Sequence, residues 1–344
     1  MANDTNNTHD TFAQQLRDAT ALSHGRALTG VSIAARATLS AHALNNEGTV
    51  NNAQMERQVN VVHDGEVVTV NAVSGDVLKH GFIDHLRALA MGAMGMNGAL
   101  PVCASCQRGD PNRINEDPQF QEALKGIDKT NSARVVDEVV RRCVVDDLGG
   151  LLVTQGNRNA PRRSVTQFGW LLGVPDHVRT QRYTHIKLAL NAAGEDSDGS
   201  NRGQNLFTRP ASSGQYAFVT QVALNRIGYN DISARYVLDS AQRAQRAQAA
   251  LEALYLTLAA PTGAQRNTQL PHLQGASGVV CFAFGSVPPV LYSPLEDDFA
   301  RQMRSIAAAF GHYGRDLALV EFATVGELGE ILQRATEWVA AVAS

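Results

Sequence analysis

From Val31 onward, apolar residues fall at every second position: Val31, Ile33, Ala35, Ala37, Leu39 and Ala41, with Ser32, Arg36, Thr38, Ser40 and His42 among the residues between. That period is the pattern of a half-buried strand, and it puts Arg36 and His42 on the face opposite the apolar one. Two further apolar runs, 59–62 and 67–70, flank His63-Asp64-Gly65-Glu66. Asp-Gly between such runs predicts a β-hairpin. Behind Ser74-Gly75-Asp76, Leu78, Phe82, Leu86 and Leu89 recur at helical spacing, so a capped helix follows the hairpin. Regular patterns return later, predicting strands over 216–224, 279–284 and 317–322 and helices over 240–260, 295–310 and 325–342. Strand, helix, strand, strand, helix, strand is the order of an α+β, ferredoxin-like arrangement.

Three stretches break the pattern. Residues 1 to about 24 are rich in Asn, Thr and Asp, and 1–27 is expected to be a loosely held arm or helix before a single domain over 28–344. Residues 97–180 carry many Gly, Pro, Asn and Arg, and 194–203 is polar without period, so both are expected to be insertions or long loops. Loops of that length usually carry function.

With 44% hydrophobic and 18% charged residues, the 344-residue chain can bury a full core, which excludes a disordered or disulfide-stapled protein. The 30 basic residues divide into 4 Lys and 26 Arg, a bias toward planar, bidentate recognition of phosphate or carboxylate, or the mark of a GC-rich genome. A formal charge of −3 excludes a protein that is basic everywhere, so any nucleic-acid surface must be local. Residues 141–240 hold 12 Arg and Lys against 8 Asp and Glu, which places the basic excess there. No 18-residue apolar run occurs and the first ten residues are polar, so neither a membrane span nor a secretory signal is expected and the location is expected to be cytoplasmic.

No Walker loop, dinucleotide fingerprint or nucleophile elbow is present. Cys103-Ala104-Ser105-Cys106 with the distant Cys143 could seed a tetrahedral structural zinc site, though a fourth ligand is not evident and three buried cysteines need no metal. The polar stretch Asn45-Asn46-Glu47-Gly48 after the first strand is either an ordinary turn or a set of amides for ribose and phosphate oxygens. Ser74-Gly75, with Lys79 and His80 one turn further, is either a simple helix cap or a phosphate site at the positive end of a helix.

Residues 33–50, from Ile33-Ala34-Ala35-Arg36 through Asn45-Asn46-Glu47-Gly48-Thr49-Val50, together with Val73-Ser74-Gly75-Asp76-Val77-Leu78-Lys79-His80-Gly81-Phe82, resemble the DevR-family CRISPR-associated autoregulators, backbone subunits of type I Cascade complexes. The resemblance continues through Cys143-Val144-Val145-Asp146-Asp147-Leu148-Gly149-Gly150, Gly203-Gln204-Asn205-Leu206-Phe207 and Arg226-Ile227-Gly228-Tyr229-Asn230. One departure is Asn51-Asn52, where family members commonly carry Gly-Asn.

The resemblance implies an RRM-type palm with a helical finger insertion at about 97–180 and a thumb β-hairpin at about 180–214. It implies a non-catalytic subunit that lines up in many copies along a crRNA, presents it for pairing with target DNA, and joins other Cascade subunits without touching a membrane. On that reading the RNA contacts fall to Arg36, His42, Asn45, Asn46, Asn52, Arg57, Ser74, Gly75, Lys79, His80, Arg162, Arg163, Arg179, Gln181 and Arg209. Two alternatives stay open. Related type III subunits cut target RNA with an aspartate after the first strand, where this chain has Glu47 and Glu56 but no Asp; and the word autoregulator suggests a transcriptional role.

Overall fold

The computed structural model describes residues 2–44, 46–51, 53–92, 100–188, 204–263, 266–285, 288–313 and 316–343. The chain opens with α1 (Ala2–Ser23) and the long strand β1 (Leu28–His42), followed by β2 (Asn46–Val50), β3 (Ala53–Glu56), β4 (Gln58–His63), β5 (Glu66–Val73) and α2 (Gly75–Ala90). A helical segment then holds α3 (Ala104–Gln107), α4 (Pro118–Lys125), α5 (Ser132–Arg142) and α6 (Val144–Gly149). Short strands β6 (Leu151–Val153), β7 (Ala160–Arg162) and β8 (Thr166–Phe168) lead into the long pair β9 (Leu171–Leu188) and β10 (Gln204–Val222). After β11 (Tyr229–Asn230) and β12 (Arg235–Tyr236), the chain closes with α7 (Ser240–Ala259), β13 (His272–Phe284), α8 (Phe299–Gly311), β14 (Asp316–Phe322) and α9 (Val325–Ala343).

The main sheet runs β14-β13-β1-β10-β9-β5-β4. Taking β1, α2, β9, β10, α7 and β13 in chain order, the four strands stand as fourth, first, third, second, with antiparallel neighbours throughout. This is the α+β, ferredoxin-like order expected from the pattern. The Asp64-Gly65 hairpin also forms, both turn residues taking positive φ (50° and 81°) as a type I′ turn requires.

The pattern failed on β1. Odd-numbered Val31, Ile33, Ala35 and Leu39 pack in the main core with α2, α7 and α9, but Ala34 on the other face is equally buried, against Val279, Cys281, Val290 and Met303 of α8. Ser32 Oγ donates 2.5 Å to the Val290 carbonyl on that face. β1 is therefore a central strand in a three-layer arrangement, because small residues on its even face let a second layer close over it.

Three further expectations change. The N-terminal residues form a helix that is docked: Leu16 and Ala19 are buried, and Gln15 Oε1 accepts from the Glu321 amide of β14. The segment 46–48 is strand with an irregularity at Gly48 (φ 100°), in place of the expected turn. The helix expected from 295 begins at Phe299. The polar run 194–203 lies outside the described residues.

Candidate nucleic-acid interface and thiol cluster

At the start of α2, Ser74 is buried with extended backbone, and a Cβ on Gly75 would stand 2.4 Å from the Phe168 carbonyl. Glycine is thus required for β8 to pass close to the helix N-terminus. A groove of about 350 Å³ opens beside it, lined by Asp76, Lys79, Gln167 and Trp170 among others. Lys79 makes no hydrogen bond or ion pair with the described residues. Burial lowers its pKa, the nearby Arg113 guanidinium adds to that, and Asp76 works the other way. A half-buried ammonium short of counter-charge next to a helix N-terminus is chemically suited to an anion. His80 is exposed and faces Asp84 at 3.4 Å. At the rim, Arg57 lies over the Trp170 ring, 5.5 Å from its centroid.

Trp170 leads directly into β9, whose outer half pairs with β10 from Arg179↔Ser213 to Leu188↔Gln204, running past the end of β1 from Gln181↔Ala211 onward. Directly paired residues share a face, so Arg179, Gln181, Tyr183 and His185 stand with Phe207 and Arg209. His185 stacks on Phe207 at 5.4 Å and 20°, Tyr183 meets His185 edge-on at 4.9 Å, and Arg209 lies 4.9 Å over Phe207. Arg179 and Gln181 are exposed. This face mixes guanidinium, amide and half-exposed aromatic rings, the surface that suits single-stranded nucleic acid. Tyr183, His185 and Phe207 were absent from the sequence-derived set, although the alternation over 179–187 could have pointed to them.

Several residues expected at this interface lie elsewhere. Arg162 is 3% exposed and committed to the core: Nη2 pairs with Asp147 at 2.6 Å, and the guanidinium donates to the carbonyls of Asp147, Arg226 and Tyr229. Its neighbour Arg163 is exposed and pairs with no described residue. Arg36 donates to the Pro294 and Leu295 carbonyls and pairs with Asp297, fastening the layer that covers β1. His42 is fully buried, edge-on to Tyr216 at 5.0 Å, and desolvation lowers its pKa to about 4. A bulge between Leu39 and His42, with Ala41 at φ 54°, breaks the alternation that was to place His42 outward. Asn45 and Asn52 lie outside the described residues, while Asn46 pairs with Glu56 in the β2–β3 register.

Asp147 also accepts from Arg246 Nη1 at 2.7 Å and from the Gly228 amide at 3.1 Å. Asn230 donates to Asp137 and to the Ala133 carbonyl. The stretches 143–150 and 226–230 therefore meet in space as a polar knot that fixes the helical segment onto α7.

The cysteines of that segment also converge. Cys103, Cys106, Cys143 and Asp146 are all buried, with donor atoms within 4.8 Å of one another, and they could hold a metal ion. Asp146 is the fourth donor group that the sequence reading lacked, although it stands three residues after Cys143 and so on the same side of a helical turn. Hydrogen bonds from Cys106 and Cys143 draw the Cys103 pKa down to about 3. Cys106, which donates to Cys103, and Cys143, which is more deeply buried, are raised. Desolvation pushes Asp146 up to about 6.

The fold defines an α+β protein built on a ferredoxin-type sheet. Residues 33–303 match the family described as CRISPR-associated negative auto-regulator DevR/Csa2, and the chain belongs to that family. No curated protein matches it in sequence. Among solved structures, a chain of a CRISPR RNA-guided surveillance complex in a pre-nicking state is similar at 16% identity and a TM-score of 0.43, over 83% of this chain and 88% of that one. A chain of another CRISPR RNA-guided surveillance complex is similar at 15% identity and a TM-score of 0.46, over 91% of this chain and 100% of that one. No helix among the described residues is long and apolar enough to cross a membrane.

Proposed function

We propose that this chain is a non-catalytic subunit that holds a CRISPR guide RNA by its sugar-phosphate backbone, with several copies side by side and with other subunits of a Cascade complex, in the cytoplasm. The guide's bases would stay free to pair with target DNA. The observation that carries the reading is the outer β9–β10 face, where Arg179 and Arg209 stand with half-exposed rings, and the groove beside Lys79 and Trp170 adds a second cationic site. Of the residues first assigned to RNA, Arg57, Ser74, Gly75, Lys79, His80, Arg163, Arg179, Gln181 and Arg209 stay in the proposal. Tyr183, His185 and Phe207 join them as stacking groups. On this reading the helical segment is the finger insertion and the outer β9–β10 pair is the thumb.

The cleavage alternative loses one of its two carboxylates. Glu56 is buried and accepts from Ser212 Oγ, so it faces the core. The regulator alternative is favoured by the family's own description as a negative auto-regulator. Purification under native conditions separates the readings: the proposal expects small RNA of uniform length bound to an oligomer. A nucleotide-free monomer that ignores added crRNA yet shifts its promoter duplex would support the regulator and end the proposal.

A further inference from the structure

We propose that Cys103, Cys106, Cys143 and Asp146 form a closed structural zinc site that locks the helical segment, independently of whether the protein binds RNA. The local fold aims all four donors inward. Cys103 caps α3 and its sulfur accepts from the Cys106 amide at 3.4 Å, which folds the two thiols of the Cys-x-x-Cys stretch toward the same point. Cys143 sits at the joint between α5 and α6 with extended backbone, and Asp146 follows one helical turn later. The Asp146 Oδ2 atom lies 3.6 Å from Cys103 Sγ and 3.3 Å from Cys106 Sγ. Donors about 2.0–2.3 Å from a common tetrahedral centre stand roughly 3.5–3.8 Å from each other. The spacing therefore suits one ion, and a cluster of four irons would spread its ligands further apart.

The polar accounting also calls for a cation. Asp146 is fully buried, its Oδ2 has weak thiol donors and its Oδ1 has no hydrogen-bond partner. The nearest positive charge is Arg113, 4.0 Å from Oδ1 and anchored on the Gly150 carbonyl. A buried carboxylate so placed is costly unless it is protonated or ligates a metal. With an ion bound to the three sulfurs and Oδ2, Arg113 becomes the outer partner that orients the carboxylate and offsets part of the excess negative charge. Uptake of Zn²⁺ converts any thiols to thiolates and releases their protons to solvent, with no change of oxidation state.

Soft thiolates with one carboxylate favour zinc over magnesium or calcium, and four protein donors leave no open position for catalysis. A redox role for the Cys-x-x-Cys pair fits poorly, since both thiols are buried and attack requires access. The site would tie the 101–107 stretch to 143–149. Cys106 and Arg113 also line the cavity that Lys79 and His80 enter, so metal would hold one wall of that cavity in place. Cys281 lies in a separate core with Val279 and Met303 and takes no part.

Metal analysis of the full-length protein, purified with reductant and without added metal, is expected to give about one zinc per chain. Cys143→Ser should lose it and Cys281→Ser should keep it. Because misfolding of the Cys143 variant would also lose metal, the wild-type protein provides a second readout: after chelation and reloading with cobalt, intense visible bands of a tetrahedral site with thiolate-to-cobalt charge transfer are expected. Hydrogen exchange over 101–117 and 143–150 should rise on chelation and recover on reloading. A metal-free protein that takes up neither zinc nor cobalt would overturn the proposal. So would a cobalt spectrum without thiolate charge transfer, or a Cys103–Cys106 disulfide isolated from unstressed cells.

Discussion

Arg162 and Arg246 are buried around Asp147, where the helical segment meets α7, whereas Arg179 on β9 and Arg209 on β10 stand on an open strand face. In sequence the four look alike, and all but Arg246 fall in the same basic stretch. The difference lies in their partners. A guanidinium brought into contact with a buried carboxylate and several carbonyls is used up in holding the fold. Arg209 over the Phe207 ring and Arg179 on the same face each donate only one hydrogen bond to the described residues, to Thr268 and to the Val178 carbonyl, which leaves most of their donors for a ligand. The basic excess of 141–240 therefore overstates the charge free for a ligand, because Arg142 and Arg235 are paired with Glu138 and Asp137, which lie just outside that stretch.

The contrast is sharpest at Asp147. Asp147→Ala takes the carboxylate away from two buried guanidiniums, leaving Arg246 without an ion pair among the described residues and Arg162 with Asp231 alone, and is expected to cost about 3–5 kcal/mol. Urea denaturation would read this as a large fall in midpoint, and an unchanged midpoint would break the distinction drawn between the two regions.

His42 gives the next largest effect. Its pKa is about 4 folded against 6.5 unfolded, so between those values the unfolded chain binds the extra proton. The stability it supports is complete above pH 6.5, falls by about 3 kcal/mol as the pH drops to about 4, and is level below that. Comparing wild type with His42→Leu isolates the slope, which should be shallower in the variant. Equal slopes would mean that the ring is solvated.

At the small end stand Lys79→Ala and Arg209→Ala. Each should change stability by no more than about 0.5 kcal/mol, yet each should weaken RNA binding for every guide alike. Loss of stability comparable to that of Asp147→Ala would place these side chains with the structural group instead.

Much of the fold could be read from the sequence because it is written locally. β1, the Asp64-Gly65 hairpin, α2 and α7 each carry a period or a turn signal within a few residues. The covering of β1 on both faces was hidden because Ser32 and Ala34 are small enough to accept a second layer without looking apolar as a set. The role of Arg162 was hidden for another reason. Its acid is 15 residues away and the competing Arg246 a further 84 along the chain, so only the fold brings them together. The thiol cluster lay between these cases. Cys103, Cys106 and Cys143 were visible, and Asp146 was signalled by helical spacing, but it is the folding of α6 beside α3 that makes it a fourth donor.

The central claim is the proposal that RNA is held by its backbone, at the groove beside Lys79 and on the outer face of β9 and β10. It is tested most directly by titrating the purified protein with two guides of unrelated sequence across a range of salt concentrations. The account predicts equal affinities for the two, with log K falling linearly against log salt at a slope of about −0.7 per phosphate neutralised, and a shallower slope for Lys79→Ala. Strong preference for one guide, or binding that salt and the Lys79 substitution leave unchanged, would contradict it.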